Sequence, residues 1–406
     1  MNVLLICNKS PWPLKEGGPI AMNMVIEGLH RAGHQVRVLA VNSYKYHVDP
    51  AQIPGEFREK CGIELVDVDL RVKPVSAFLN LFTGKSYHVQ RFESASFRKA
   101  LIRILKTGSF DIVQLETLFV CPYIPVIRKY STAKIILRAH NIEHLIWERL
   151  ADETGNRLKR WYIRHLASTL KEYEHTIIRQ VDGIAAITMK DADYFTNVLN
   201  SAGVSQTAIP VIDIPFGLDI GIYSLPAGKT NPVSLFSIGS MNWMPNEEGV
   251  KWFLENVWPG IREQYPSLTY YLAGRSMPDW MRQLKISGVE VLGEVEDAHE
   301  FIRDHSVMIV PLFSGSGIRI KIIEGMALGK TIISTSLGAE GISYINGENI
   351  LIANTPCEFF DMISLCCEDP GRRQMIGRNA RELIEREYDR DAITHRLISF
   401  YQHLTE

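Results

Sequence analysis

Short apolar runs alternate with longer segments of helical periodicity along the chain, and the alternation occurs as two consecutive series. A short apolar run bounded by turn residues is typical of a strand buried in a parallel sheet, and helical patterns between such runs indicate βαβ units. The first series covers residues 1–222 and the second begins at residue 233. The sequence therefore predicts an α/β protein with two doubly wound, Rossmann-like domains.

The predicted strands of the first series lie at 3–7, 35–41, 63–68, 112–115, 134–137, 183–187 and 209–215. Those of the second series lie at 233–238, 268–273, 289–292, 307–310, 331–334 and 350–352. Longer apolar-polar patterns predict helices at 156–179, 246–264 and 317–328, and a charged helix from about residue 380 onward.

These patterns divide the chain into an N-terminal domain of residues 1–222, a turn-rich linker at 223–232 and a C-terminal domain of residues 233–385. Residues 386–406 are predicted to form a helix that packs back on the N-terminal domain. Open α/β sheets bind ligands at the carboxyl ends of their strands, so the ligands are expected in a cleft between two facing domains.

Composition excludes several classes of protein. A chain of 406 residues with 46% hydrophobic residues and a net charge of −2 is neither disordered nor a general nucleic-acid binder. Its N-terminal apolar run is too short for a signal peptide, and no run is long enough to span a bilayer. The six cysteines form no C-x-x-C pair, so we expect free thiols in a reducing cytoplasm.

Charge is distributed unevenly between the two halves. Residues 1–222 contain 27 Lys and Arg against 22 Asp and Glu, whereas residues 223–406 contain 17 against 24. A basic half can prefer an anionic partner such as a phospholipid surface or a lipid phosphate, which predicts peripheral contact with the inner membrane face. Ordinary solvated faces with unequal counts explain the numbers equally well, and the sequence leaves both interpretations open.

The segment after the predicted strand at 307–310 contains the strongest chemical signal. A loop that includes Gly315 and Gly317 leads into a predicted helix, whose N-terminus attracts anions through its free N–H groups and its dipole. Arg319 and Lys321 add positive charge in the predicted first turn, as a diphosphate site without a metal ion requires. Glu324 follows one turn later and can accept hydrogen bonds from a ribose diol, or it can pair with Lys321.

This segment, together with the predicted two-domain organisation of the chain, resembles the group 1 (family four) retaining glycosyltransferases of the GT-B fold. The likeness is to a branch with the pattern G-S-G-x-R-x-K-x-x-E-x-M-A-x-G-K and continues through segments 237–246, 272–274 and 291–297. In the N-terminal half it is carried by Gly17-Gly18, by 138–144 and by 215–219. The resemblance implies donor contacts at Gly239, Ser240, Gly274, Glu294, Val295, Gly315, Gly317, Ile318 and Glu324.

The sequence departs from the wider family at two places. The common G-R-L-x-x-x-K-G after the first strand of the second domain reads Gly239-Ser240-Met241, with no basic residue before Gly249. The E-x7-E pair is reduced to Glu324, because Ser316 occupies the first position. Arg319 and Lys321 are expected to supply the missing positive charge.

The predicted sites of the N-terminal half follow strand ends. His140 follows the strand at 134–137, and the resemblance implies that it contacts the donor sugar near the reacting carbon. Gly17 and Gly18 lie in the loop after the first strand, where the family binds donor phosphates and the acceptor; adjacent glycines let backbone approach a ligand closely. Glu116 ends another strand and either meets the acceptor or is an ordinary loop carboxylate.

The resemblance implies a retaining hexosyl-type glycosyltransferase that moves a sugar from a nucleotide-diphosphate donor to a hydroxyl acceptor. The acceptor would be a glycan or a lipid-linked sugar in bacterial surface polysaccharide or glycolipid assembly. Arg319 and Lys321 predict that the diphosphate is bound without a metal ion, and we expect no cofactor besides the nucleotide sugar. A nucleotide-sugar epimerase and a non-catalytic nucleotide-sugar-binding protein remain as alternatives. A nicotinamide dehydrogenase is excluded, because residues 8–19 lack G-x-G-x-x-G.

Overall fold

The computed structural model describes residues 1–14, 17–204, 208–223, 233–315 and 318–406. The chain divides into two units. The first consists of Met1–Gly217 together with Arg390–Glu406, and the second is Leu218–Asp389.

Among the described residues of the first unit, seven parallel strands form one sheet in the order β3-β2-β1-β4-β5-β6-β7. Its strands are β1 (Asn2–Cys7), β2 (Gln35–Asn42), β3 (Glu64–Asp67), β4 (Ile112–Glu116), β5 (Lys134–Ala139), β6 (Gly183–Ala186) and β7 (Val211–Asp213). Its helices, in chain order, are α1 (Gly17–Arg31), α2 (Gly55–Cys61), α3 (Pro74–Asn80), α4 (Tyr87–Gln90), α5 (Ala95–Thr107), α6 (Ile124–Tyr130), α7 (Glu143–Glu153), α8 (Arg157–Ile177) and α9 (Met189–Ser201).

Helices cover both faces of this sheet, and the side chains of β1 show why. Leu4 and Ile6 point into a core that also contains residues of α5, α6, α8 and α9. Their neighbours Val3 and Leu5 point into a second core, formed with α1 and α2. Apolar side chains on both faces of β1 are therefore buried, which explains why its sequence is a continuous apolar run.

Over the described part of Leu218–Asp389, six parallel strands form a sheet in the order β10-β9-β8-β11-β12-β13. They are β8 (Leu235–Ser240), β9 (Tyr270–Arg275), β10 (Val289–Gly293), β11 (Val307–Val310), β12 (Thr331–Ser334) and β13 (Leu351–Ile352). The helices of this unit are α10 (Met244–Asn256), α11 (Trp258–Gln264), α12 (Asp279–Arg282), α13 (Ala298–Asp304), α14 (Ile320–Ala327), α15 (Pro356–Glu368) and α16 (Pro370–Glu387). Both sheets have the doubly wound strand order, and both are Rossmann-like.

The last helix, α17 (Arg390–Thr405), returns to the first unit. Ile393, Leu397 and Tyr401 are buried in the core that β1 shares with α1. Helices α17 and α1 pack closely at Gly28, where a side chain would lie 2.1 Å from the hydroxyl oxygen of Thr394.

The predicted boundaries differ from the observed ones in several places. The division between the units falls at Gly217/Leu218 rather than at residue 222, and the C-terminal segment starts at Arg390 rather than at 386. Most of the predicted linker, 224–232, lies outside the described residues. The helix predicted at 246–264 is two helices that meet at Val257, where Pro259 follows.

The C-terminal charged helix predicted from about residue 380 is also two helices, because α16 ends at Glu387 and α17 begins at Arg390. The six cysteines all lie within the described residues and are free thiols, as expected. Within the described ranges, no helix combines the length and the apolar character needed to cross a membrane.

Candidate functional site

The first candidate site lies where β11 passes into α14 in the second unit. The topological switch point of this sheet falls between β8 and β11, which is where open α/β sheets bind their ligands. Arg319 is the N-cap residue of α14, so it lies just before the first turn and not, as predicted, within it. Its side chain is buried. Gly317 lies outside the described residues.

Lys321 occupies the first turn of α14 and is held by a neighbouring helix. Its Nζ donates to Oδ1 of Asn246, near the start of α10, at 2.8 Å. Burial, together with the nearby Arg319 guanidinium, lowers the pKa of Lys321 to about 7. The ammonium group is therefore poorly solvated and lies beside a second positive charge, an arrangement that an anion would stabilise.

Two glycines near strand ends allow the backbone of this region to pack closely. A side chain at Gly274, in β9, would meet the carbonyl oxygen of Gly239 in β8 at 2.0 Å. A side chain at Gly239 would lie 2.9 Å from Nδ2 of Asn246, which donates to the carbonyl oxygen of Ser240. Only glycine fits at Gly274, and the contact brings the ends of β8 and β9 close to the Asn246–Lys321 pair.

The loop before α14 packs on Trp243, the N-cap residue of α10. Gly315 has φ 97°, a backbone conformation that favours glycine, and a side chain there would lie 2.9 Å from the indole ring of Trp243. The Arg319 guanidinium lies 5.2 Å from the centroid of the same ring. This cation–π contact orients the guanidinium of Arg319.

Glu324, one turn after Lys321, is held by two other side chains. The hydroxyl of Tyr223 donates to Oε1 of Glu324 at 3.3 Å, and Nε2 of His299 lies 3.7 Å from the same oxygen. The nearby Glu324 carboxylate raises the pKa of His299, while burial and the Glu324 charge raise the pKa of Tyr223. The structure thus pairs Glu324 with Tyr223 and His299, and Lys321 with Asn246, in place of the Lys321–Glu324 pair.

The other predicted donor contacts lie around this group. Ser240 ends β8, and Ile318 is half-buried directly before Arg319. Glu294 and Val295 follow β10, the edge strand; the Glu294 side chain is exposed and Val295 is half-buried. The loop that contains them leads into α13, and His299 of α13 lies beside Glu324.

The second candidate site lies at the carboxyl ends of β4 and β5 in the first unit. Oε2 of Glu116 lies 2.6 Å from Nε2 of His140, and 3.6 Å from the Arg138 guanidinium. Burial by itself would raise the pKa of the Glu116 carboxyl, but Arg138 and the hydrogen bonds from His140 and Gln114 lower it overall. Because an ionised Glu116 can only accept a hydrogen bond, Nε2 of His140 donates to it, and Nδ1 is the ring nitrogen that does not bond to Glu116.

Glu116 is fully buried, as the last residue of β4, and is neither an exposed loop carboxylate nor placed to meet an acceptor directly. The His140 side chain, in contrast, is 11% exposed. Thr117, which follows Glu116, has φ 85° and ψ 159°, a strained conformation for a β-branched residue. Such strain is concentrated at functional sites.

A buried chain of hydrogen bonds connects this site to the C-terminal helix. The hydroxyl of Tyr401 in α17 donates to Oε1 of Gln114, and Nε2 of Gln114 donates to Oε1 of Glu116 at 2.6 Å. With the Glu116–His140 bond, the chain runs from α17 to the imidazole ring. We refer to Tyr401, Gln114, Glu116 and His140 as the α17 relay.

Gly17 and Gly18 are the first two residues of α1 rather than residues of a loop. A side chain at Gly18 would lie 3.0 Å from Cε of Lys9, which follows β1. Two glycines and the Lys9 side chain therefore meet at the start of α1, near the switch point between β1 and β4.

Several residues of these sites did not emerge as site residues from the sequence. Asn246 stands within a segment that carried the resemblance, but no spacing rule connects it to Lys321. Tyr223, His299, Gln114 and Tyr401 carry no local signal, because each reaches its partner only through the tertiary fold. Among residues 1–14, 17–204, 208–223, 233–315 and 318–406, no three His, Cys, Asp or Glu side chains are grouped as a metal site.

Comparisons with known proteins agree with this architecture. Residues 232–369 match the family model described as glycosyl transferases group 1. In an alignment 402 positions long that covers 96% of each chain, the protein is 23% identical to an uncharacterized 44.6 kDa protein in the cps region of Klebsiella pneumoniae.

Two solved structures share the fold over the full length. Sucrose-phosphate synthase from Thermosynechococcus elongatus has a TM-score of 0.68 at 15% identity, covering 100% of this chain and 99% of that chain. The Anabaena protein HepE, in complex with UDP, has a TM-score of 0.63 at 13% identity, covering 99% and 100%. The two units therefore have the fold of GT-B glycosyltransferases. The match to the family model falls within the second unit.

Proposed function

We propose that this protein is a retaining glycosyltransferase that transfers a hexosyl sugar from a nucleotide-diphosphate donor to a hydroxyl acceptor. The observation that carries the proposal is the pair Arg319 and Lys321, placed together at the start of α14 and at the switch point of the second sheet. A bound diphosphate would stabilise the protonated form of Lys321 and offset the repulsion between its charge and that of Arg319.

In the proposed donor site, Lys321, Arg319 and the N-terminal N–H groups of α14 bind the diphosphate. The Glu324 carboxylate, oriented by Tyr223 and His299, accepts hydrogen bonds from the ribose hydroxyls. UDP bound to HepE, a protein with the same fold, supports a nucleotide diphosphate as the ligand class.

The proposed reaction breaks the bond between the anomeric carbon and a diphosphate oxygen. Negative charge then develops on the departing oxygen, and groups already oriented toward it lower the barrier. Lys321 and Arg319 supply that stabilisation, so transfer is expected to proceed in EDTA. The acceptor oxygen bonds to the anomeric carbon on the face that the diphosphate leaves, and the acceptor proton passes to the departing diphosphate.

In the first unit, His140 is the proposed contact for the transferred sugar, with Nδ1 as the nitrogen that meets it. Glu116 orients the ring and the start of α1, with Gly17 and Gly18, approaches phosphate groups. This assignment replaces the expected contact between Glu116 and the acceptor, since Glu116 is fully buried.

The proposed acceptor is a glycan or a lipid-linked sugar in the assembly of a bacterial surface polysaccharide or glycolipid. The relative from a cps region of Klebsiella pneumoniae supports this setting. A lipid-linked acceptor places the reaction at the cytoplasmic face of the inner membrane, with the protein attached peripherally.

The test is incubation of the protein with a panel of UDP- and GDP-sugars, with and without candidate acceptors. A glycosylated acceptor with retained anomeric configuration supports the proposal. Release of a free epimer without an acceptor identifies an epimerase, and tight binding of an unchanged donor identifies a non-catalytic binding protein.

Calorimetry on variants tests the diphosphate site. Lys321→Ala should weaken binding of the nucleotide diphosphate by about 1.5–3 kcal/mol, the range for a hydrogen bond to a charged group. Lys285→Ala, an exposed lysine of the same unit, is the matched control and should bind as the wild type does. Equal affinity in all three proteins would refute the assignment of Lys321.

A further inference from the structure

The segment that connects β3 to α5 exposes large apolar side chains to solvent. Val72, Val75, Phe78, Leu79 and Phe82 are between 58% and 78% exposed, and we call these five residues the apolar patch. Helix α3 turns Ala77 and Asn80 inward and its larger apolar side chains outward. Contiguous exposed apolar residues are unusual in a protein that binds nothing at that surface.

The first half of α8 lies next to this segment. Ala77 and Tyr87 pack in one buried cluster with Leu166 of α8, against which Tyr162 also packs. Two more large apolar side chains, Leu158 and Trp161, are 81% and 61% exposed near the start of α8. Together the two segments present an unusually apolar surface.

Basic residues outnumber acidic residues in both segments. Residues 70–92 include four basic and no acidic side chains, and residues 154–171 include five basic and no acidic side chains. Asp69 pairs with Arg71 and Lys73 at the border of the first segment. Lys85, Arg157 and Lys159 are exposed, and we call these three residues the basic rim.

We propose that the apolar patch and the basic rim form a surface that docks on a bilayer containing anionic phospholipid. Apolar and aromatic side chains stabilise an interfacial contact by entering the acyl boundary, while Lys and Arg bind the anionic headgroups. A second copy of this chain is disfavoured as the occupant, because a symmetric contact would bring two basic rims together.

The position of this surface in the fold suits a lipid-linked substrate. All strands of the first sheet are parallel, so their carboxyl ends lie on the same side of the sheet. The segment that follows β3 therefore leaves the sheet on the side where Glu116 and His140 lie. The inference rests on the proposed function for the identity of that substrate; docking on lipid does not depend on it.

The experiment is sedimentation of the full-length protein with two kinds of vesicle, pure phosphatidylcholine and phosphatidylcholine mixed with phosphatidylglycerol, at low and high salt. The wild type should sediment with the mixed vesicles and bind them less at high salt. The double variant Phe78→Ser/Phe82→Ser should lower the partition coefficient at least about tenfold, since two apolar side chains no longer enter the bilayer. Arg157→Glu/Lys159→Glu should remove the preference for the anionic vesicles.

Matched controls place equivalent changes elsewhere on the surface. Ile345→Ser removes a side chain that is 56% exposed in the second unit, and Lys99→Glu reverses an exposed charge on α5. Both should bind vesicles as the wild type does. Thermal melting checks that each variant folds, and UDP calorimetry should show unchanged nucleotide affinity in all of them.

Absence of wild-type binding to anionic vesicles, or equal loss in the patch and control variants, overturns the proposal. So does a patch-dependent dimer in light scattering, which would assign the surface to a second copy. Failure of the proposed transferase reaction leaves the vesicle result intact, and loss of vesicle docking leaves donor binding intact, so the two proposals fail separately.

Discussion

At the scale of single residues, Lys321 shows how the surroundings of a side chain set its chemistry. An exposed lysine stays charged at neutral pH, but burial beside Arg319 lowers the pKa of Lys321 to about 7. Asn246 contributes only a neutral oxygen to its Nζ. Without a bound donor, the charge of Lys321 is therefore sensitive to small changes in pH near 7, and a bound diphosphate would stabilise the protonated form.

This arrangement predicts a pH-dependent donor affinity. The bound diphosphate should raise the pKa of Lys321. Donor affinity should therefore be highest below about pH 7, where Lys321 is already protonated. Above that pH the affinity should fall by up to about tenfold per pH unit, until the pH reaches the pKa of Lys321 in the complex. Calorimetry between pH 6 and 9 should use a nucleotide sugar, whose diphosphate does not titrate in this range.

Lys321→Arg is the control, because an arginine keeps its charge throughout that range. Its affinity should be nearly independent of pH. The same slope in both proteins would show that another group titrates, and a flat wild-type profile would show that Lys321 is charged before donor binds.

At the scale of elements, α17 contributes more than a packed helix to the first unit. Its Tyr401 is fully buried and donates to Gln114, which in turn donates to Glu116 beside His140. Buried networks of this kind orient side chains strongly when each member is satisfied. The C-terminal helix thus reaches the candidate sugar contact from the opposite end of the chain.

Tyr401→Phe, which keeps the ring and removes the hydroxyl, should therefore alter His140 without unfolding the protein. We expect kcat to fall several-fold, about 1 kcal/mol for one hydrogen bond, and the pH profile of kcat to shift, with nucleotide affinity unchanged. Leu397→Val is the control, since it loosens the packing of α17 without touching the α17 relay. If Tyr401→Phe and Leu397→Val had the same kcat and the same pH profile, Tyr401 would contribute only to the packing of α17.

At the scale of the whole molecule, the chain crosses between units twice. It leaves the first unit after Gly217 and returns at Arg390, so the first unit is completed by the last residues of the chain. The second unit, Leu218–Asp389, is continuous in sequence. The two units therefore depend differently on the C-terminus.

A chain that ends at Asp389 should lose the fold of its first unit and retain nucleotide binding by its second. Ile393, Leu397, Phe400 and Tyr401 are buried in the core that β1 forms with α1 and α2, and burying each apolar side chain stabilises by about 1.5–3 kcal/mol. Their sum is comparable with the whole stability of a domain, about 5–15 kcal/mol. Limited proteolysis and UDP calorimetry measure the two outcomes.

A chain that ends at Leu404 is the control, because Thr405 and Glu406 are not buried. It should resist protease as the full chain does. A first unit that remains resistant in the Asp389 truncation would show that α17 is dispensable for its fold.

The sequence by itself determined the fold class, because the pattern of buried strands is local. Strand β1 needs apolar side chains on both faces, and that requirement is visible as an uninterrupted run from Val3 to Cys7. The start of α14 was likewise located by a Gly-rich loop followed by basic residues, although Arg319 proved to cap the helix rather than to enter it.

Only the tertiary structure decided which partners these residues have. Glu324 stands one turn from Lys321 in sequence, yet it bonds Tyr223, 101 residues away, and Lys321 bonds Asn246, 75 residues away. Glu116 looked like a strand-end carboxylate that could meet an acceptor, and the fold buried it against His140 and Gln114. Periodicity reports which face of an element is buried; the polar partner across the interior depends on how distant elements pack, which no local pattern contains.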